Sequence, residues 1–169
     1  LRTSCREYSV ANLSNRMVHL TNDAVQKNCA DYGKFEPGNK LSYNEFQLYL
    51  DKHVPEAHVC FEHDVRPQLN KVTADIFRAV YSKLDPKKRL NCMEVFGLDF
   101  MLDDEFKPYL IEVNTNPCLE LSSPLLARLI PNMLENALKI CLDSQFLPPE
   151  NFSVKKAFIG DACPENRFE

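Results

Sequence analysis

The chain holds 169 residues, enough for one domain with a real core, and its 44% hydrophobic and 26% charged content places it among globular rather than disordered proteins. A formal charge of −4 argues against a general nucleic-acid binder, whose affinity rests on neutralising phosphates. No apolar run approaches the ~18 residues that span a bilayer, which argues against a membrane protein.

The seven cysteines, Cys5, Cys29, Cys60, Cys92, Cys118, Cys141 and Cys163, are odd in number and scattered, with no CxxC pair. They read as reduced cytosolic thiols rather than a disulfide framework. The opening LRTSCREYSV is neither a signal nor a transit peptide and lacks an initiator Met; it reads as the middle of a fold, so a piece of a longer chain is expected.

In chain order, the short, partly β-branched Met17 to Thr21 predicts a strand. The polar DAVQKN stretch after it predicts one or two helical turns capped by Thr21 or Asn22. Residues 29–40, with Gly33, Pro37, Gly38 and Asn39, read as loop. Ser42 and Glu45 match a capping box for a helix over 42–53. Val65, Leu69, Val72, Ile76, Val80 and Leu84 recur every three or four residues, predicting a core-facing helix over 65–84 that tolerates Pro67 in its first turn. Ser122-Ser123-Pro124 opens a helix over 123–143 that Pro131 should kink or split. Beyond Phe146 the composition turns to Pro, Asn, Glu and Lys, predicting an extended tail over 146–169.

Residues Met93 to Met101, the polar DDEFKP and then YLIEVN predict a hairpin. Antiparallel pairing about a turn near Glu105-Phe106 sets Asp99 opposite Glu112. Alternation then puts Asn114 on the same face, while Phe96, Leu98, Phe100, Ile111 and Val113 make the other, core face. Two facing carboxylates repel. Either they form a solvated acidic face, or they hold a cation; oxygen-only ligands suit Mg²⁺, which shares its shell with substrate phosphates.

FGLDFMLDDEFKPYLIEVNTNP resembles the most characteristic stretch of the tubulin tyrosine ligase-like family, a branch of the ATP-grasp ligases. LRTSCREY is similar to that family's arginine-bearing segment, and HLTNDAVQK with DYGKFEPGNKLS to its HLTN block, so the likeness covers most of residues 1–145. It implies the C-terminal half of an ATP-grasp fold, an α/β (α+β) lobe with an antiparallel sheet and flanking helices over 1–145, followed by the tail. It implies that Asp99, Glu112 and Asn114 hold magnesium under the ATP phosphates, that Thr21 and Asn22, with His19 beside them, lie near the nucleotide, and that Arg2 faces the acceptor and the reacting phosphoryl group. The implied reaction joins a free amino acid (Glu, Gly or Tyr) to a protein carboxylate through an acylphosphate, with tubulin as partner and the cytoskeleton, cilium or basal body as location. Thr115-Asn116-Pro117-Cys118 after EVN resembles the glutamate- or glycine-adding members rather than the tyrosine-adding ones. The lysines that hold adenine and the α/β-phosphates precede the matched region in the family, so this segment alone is expected to bind ATP poorly. The rival reading is a non-catalytic member with a structural or microtubule-binding role.

Other constellations carry less. His53, His58, Cys60 and His63 lack any zinc-site spacing, and Gly38 to Glu45 is one residue too long for a calcium loop. Cys118 has no basic neighbour and is expected to be a buried spectator. Lys87-Lys88-Arg89 and Lys155-Lys156 read as solvated surface, though they could meet an acidic partner.

Overall fold

The computed structural model describes residues 1–89, 92–143 and 145–146. Among these it is a mixed α and β structure: five α-helices and one two-stranded antiparallel sheet. None of the described helices is long and apolar enough to cross a membrane.

Polar side chains, rather than long elements, organise the first forty residues. Residues 17–21 are not the expected strand: α1 (Arg16–His19) is a single helical turn, because the Asn15 side chain accepts from Met17 N at 3.1 Å and caps it. Two carbonyls that a partner strand could have paired are met instead by Gln26, which is fully buried. Its amide donates to the carbonyls of Met17 (3.1 Å) and Leu20, and its oxygen accepts from Cys5 N (2.8 Å). Gln26 closes α2 (Asp23–Gln26), which Asn22 caps by accepting from Ala24 N at 2.9 Å, as the polar stretch predicted.

After a loop that ends in a 3-10 turn over Pro37–Asn39, residues 39–41 run antiparallel to the start of the chain. Leu41 N donates to Leu1 O (3.1 Å) and Thr3 N to Asn39 O (3.0 Å), which sets Arg2 opposite Lys40.

The predicted capping box is present at α3 (Tyr43–His53): Glu45 N donates to Ser42 Oγ (3.2 Å) and Ser42 N to the Glu45 carboxylate (2.7 Å). Phe61, 1% exposed, packs against the rings of Tyr43 and Phe46 at 4.4 and 5.9 Å. A π-turn over Phe61–Val65 feeds α4 (Arg66–Leu84), with Pro67 in its first turn. The apolar stripe of α4 is only partly covered: Val65 is buried, Leu69, Val72, Ile76 and Val80 are half-buried, and Leu84 is exposed.

Ser123 accepts from Leu126 N (3.2 Å) to cap α5 (Pro124–Leu142), and Pro124 follows inside the first turn. Pro131 does not split α5. The hydrogen bond it removes is that to the Ala127 carbonyl, and both residues lie on an exposed turn where water can satisfy that oxygen. The expected tail, with Lys155-Lys156, lies outside the described residues apart from Phe146.

Candidate metal and nucleotide site

The hairpin consists of β1 (Gly97–Leu102) and β2 (Pro108–Asn114). Residues 92–96 do not join the strand; Phe96 instead stacks edge-on against Phe77 of α4 at 5.1 Å, which seats the hairpin on that helix. The pairing places Asp99 opposite Glu112 and Gly97 opposite Asn114, the register expected from the sequence. A bulge then follows: Phe100 pairs with Leu110, and Ile111 has no partner. That irregularity, together with sparse cover, corrects the expected core face, for Ile111 is 58% and Val113 36% exposed.

On the other face Asp99 and Glu112 are both exposed, and Asn114 donates its amide nitrogen to Glu112 Oε1 at 3.2 Å. This hydrogen bond orients Asn114 so that its carbonyl oxygen remains free to accept or ligate. No lysine or arginine among the described residues pairs with either carboxylate. Two hard anionic oxygens and one neutral oxygen, open to solvent and lacking a counter-charge, fit Mg²⁺ sharing its shell with water or phosphate. They do not fit a closed protein cage, and no group of three His, Cys, Asp or Glu gathers among the described residues.

The chain leaves β2 through Thr115 and Asn116 and folds back over β1. A Cβ at Gly97 would stand 2.9 Å from Pro117 Cβ, so only glycine admits this crossing. With Pro117 packed there, Cys118 is exposed, not buried as the sequence suggested.

The remaining candidates form a second group. Arg2 is exposed on the short antiparallel bridge, and Thr21 is exposed before α2. Asn22 spends its side-chain oxygen on Ala24 N, leaving its amide nitrogen available. His19 is engaged elsewhere, its Nε2 at 2.8 Å from Asn12 O and its ring edge-on to Tyr8 at 5.5 Å. Among the described residues no hydrogen bond or ion pair joins this group to the hairpin triad. Gly38, in the loop before Lys40, lies against the α5 cap, where its Cβ would meet Ser123 Cβ at 3.3 Å.

Sequence reasoning missed the buried polar residues beneath this second group. Lys40, 4% exposed at its side chain, contacts Asp23 Oδ2 at 2.7 Å and donates to Gly38 O at 3.1 Å. Asn39 accepts from Gly33 N (2.7 Å) and donates to Cys5 Sγ (3.0 Å). Burial, and then the adjacent Asp23 carboxylate, push the Tyr32 hydroxyl up in pKa. None of these residues lies in a periodic pattern, so no sequence signal marks them.

The structure is thus a mixed α and β one whose hairpin sets two carboxylates and an amide oxygen on one open face. The profile of the tubulin-tyrosine ligase family matches residues 1–151, and the chain belongs to that family. It is 33% identical over 146 residues to tubulin glycylase 3D of Tetrahymena thermophila, covering 85% of this chain and 14% of that protein. It is 34% identical over 152 residues to tubulin glycylase 3A of Drosophila melanogaster (88% and 15%) and 31% over 147 residues to the human protein monoglycylase TTLL8 (85% and 17%). The chain thus spans 14–17% of the length of these relatives.

Proposed function

We propose that this chain supplies the metal-binding lobe of an ATP-grasp ligase that joins an amino acid, glycine first among the candidates, to a carboxylate of tubulin. The observation that carries the reading is the pairing of Asp99 with Glu112, with Asn114 held beside them on a face that no described cation neutralises. Membership of a ligase family and the glycylase names of the relatives support the reaction class and the amino acid.

In this reading the acceptor carboxylate takes the terminal phosphoryl group of ATP and ADP leaves. The amine of the incoming amino acid then displaces phosphate from the acylphosphate, losing a proton as the amide forms. Bound magnesium supplies charge neutralisation at the phosphates. Asp99 and Glu112 would hold the cation, and the Asn114 carbonyl would add a neutral oxygen beside them. The amide nitrogen of Asn22 and the hydroxyl of Thr21 would be offered to the nucleotide. Arg2 offers a planar, permanently charged fork to the acceptor carboxylate and the transferring phosphoryl group. No side chain forms a covalent intermediate.

The test is transfer of labelled glycine, glutamate or tyrosine to tubulin by the full-length protein, with ATP and Mg²⁺ present or each omitted. Glycine incorporation that needs both is the expected result. Incorporation of none of the three would leave a non-catalytic, microtubule-binding role in its place.

A further inference from the structure

Lys40 is the most deeply buried cation among the described salt bridges, and it stands where three functional segments meet. Its backbone lies opposite Arg2. Its ammonium contacts Asp23, the first residue of α2 and the direct neighbour of Asn22, at 2.7 Å, and donates to Gly38 O at 3.1 Å, in the turn packed on the α5 cap. Burying an ammonium is costly unless it is paired and hydrogen-bonded, and here both conditions hold. Arg2 and Lys40 are like charges directly opposite one another, a destabilising arrangement unless one is neutralised. Asp23 neutralises Lys40, which leaves the exposed Arg2 as the uncompensated charge of the bridge.

The Asp23 carboxylate makes a single ion pair among the described residues, with Lys40. Its Oδ1 is buried without a hydrogen-bond partner among the described residues, and its other neighbour, the Tyr32 hydroxyl, brings no charge, so Lys40 is the cation that anchors it. Because α2 is a single turn, it has too few internal hydrogen bonds to hold its own orientation. The direction in which Thr21 and Asn22 present their side chains therefore depends on tertiary anchors at its two ends: Gln26 at one and Asp23 at the other.

We propose that Lys40 is a positioning residue for the ligation reaction: through Asp23 it orients the Thr21–Asn22 turn toward the nucleotide, and its backbone keeps Arg2 in register with that turn. The proposal rests on the reading of Asn22 as a nucleotide contact. Lys40 itself touches no reacting atom in this scheme.

The experiment uses the full-length protein and measures thermal unfolding, kcat, and KM for ATP. Lys40→Met and Asp23→Asn each leave one buried partner uncompensated, so each lowers the melting temperature. Together they replace the ion pair by a neutral pair of similar volume, which restores the melting temperature. A purely structural role predicts that KM for ATP recovers with it. A positioning role predicts that KM for ATP stays about tenfold or more above wild type, because small misplacements of a ligand-contacting group are costly even in a folded site. Lys40→Arg, which keeps the charge beside Asp23, is expected to stay within about threefold of wild type. A double variant with wild-type KM, or Lys40→Arg as impaired as Lys40→Met, overturns the proposal; the Arg comparison stands even if the double variant does not fold. Asn22→Ala separates the two levels. A raised KM for ATP upholds the nucleotide reading of the turn, whereas an unchanged KM overturns that reading and removes the role proposed for Lys40.

Discussion

Asn114 donates its side-chain amide to Glu112 Oε1 at 3.2 Å, so the two residues act as one unit on the open face of β2, across from Asp99. Removing either carboxylate has opposite effects on the free and metal-bound states. Without metal, Asp99→Asn or Glu112→Gln relieves a like-charge pair, and the full-length protein should be as stable as wild type or more stable by ~0.2–1 kcal/mol. With Mg²⁺ and nucleotide the variants should lose the wild-type gain in melting temperature, and ligation should fall below detection. Thermal melts with and without Mg²⁺, alongside an incorporation assay, check both halves. Full activity in both variants would falsify the metal assignment.

Gly97 faces Pro117 across the start of the hairpin, where a Cβ would stand at 2.9 Å from a ring carbon that cannot rotate away. Gly97→Ala is expected to cost about 1–3 kcal/mol, as overpacking does. The displaced Pro117 lies three residues beyond Asn114, so metal-dependent stabilisation should weaken as well. Gly97→Ala combined with Pro117→Gly, which removes the clashing atom, should recover part of both losses in denaturant melts with and without Mg²⁺.

How far the sequence reached can be judged from these same residues. The Asp99–Glu112 register followed from the turn position alone, because strand alternation leaves little freedom once the turn is placed. The Ser42 capping box and the Ser123-Pro124 helix start were legible because caps are local chemistry. The strand expected over 17–21 failed because its N–H groups are met by the Asn15 cap and turn bonds and its carbonyls of Met17 and Leu20 by Gln26, a side chain whose tertiary position no local pattern reveals. The bulge at Ile111 was equally hidden, since alternation continues unbroken through YLIEVN. At the candidate site, the triad was legible as a face of a hairpin. The Lys40–Asp23 anchor was not, because it joins residues seventeen apart within a loop-rich segment.

Gln26 offers a direct measure of that hidden organisation. Gln26→Leu keeps the volume but leaves Cys5 N and the Leu20 carbonyl without their partner, and leaves the Met17 carbonyl to the Ser4 hydroxyl alone. Each buried group left unpaired costs about 1–3 kcal/mol, so a loss of about 2 kcal/mol or more is expected. Urea unfolding of the full-length protein should show a lower midpoint, and a change below about 1 kcal/mol would mean that water replaces the side chain at little cost.

The Glu45 carboxyl is held below its ordinary pKa of 4.5 by hydrogen bonds from the Ser42 hydroxyl and backbone amide. A carboxyl whose folded-state pKa is lowered contributes stability that is fully present above its unfolded value and is lost as pH falls through the folded value. The side chain is exposed, so the electrostatic part is small. Ser42→Ala should cost ~1 kcal/mol at neutral pH through loss of the cap. The stability difference between wild type and Glu45→Gln should shrink as pH falls below 4.5, and denaturant melts across that range read it directly.

Arg2 carries the substrate side of the proposed mechanism, and its surroundings define what a conservative change would do. Its backbone is fixed by the hydrogen bonds of Leu1 and Thr3 to residues 39–41, while its side chain is exposed. Arg2→Lys therefore keeps both the bridge and the charge, and removes only the bidentate fork. If that fork grips the acceptor carboxylate and then the phosphoryl group, kcat should fall by roughly 100-fold, as when a preorganised donor to developing negative charge is removed. KM for ATP should change little, since the nucleotide-side contacts assigned to Thr21 and Asn22 remain. The melting temperature should also hold, because no described ion pair involves Arg2. Steady-state kinetics on the full-length protein check the split. A variant within about twofold of wild type in kcat would make Arg2 a surface residue of the bridge and pass the acceptor-facing role to another cation.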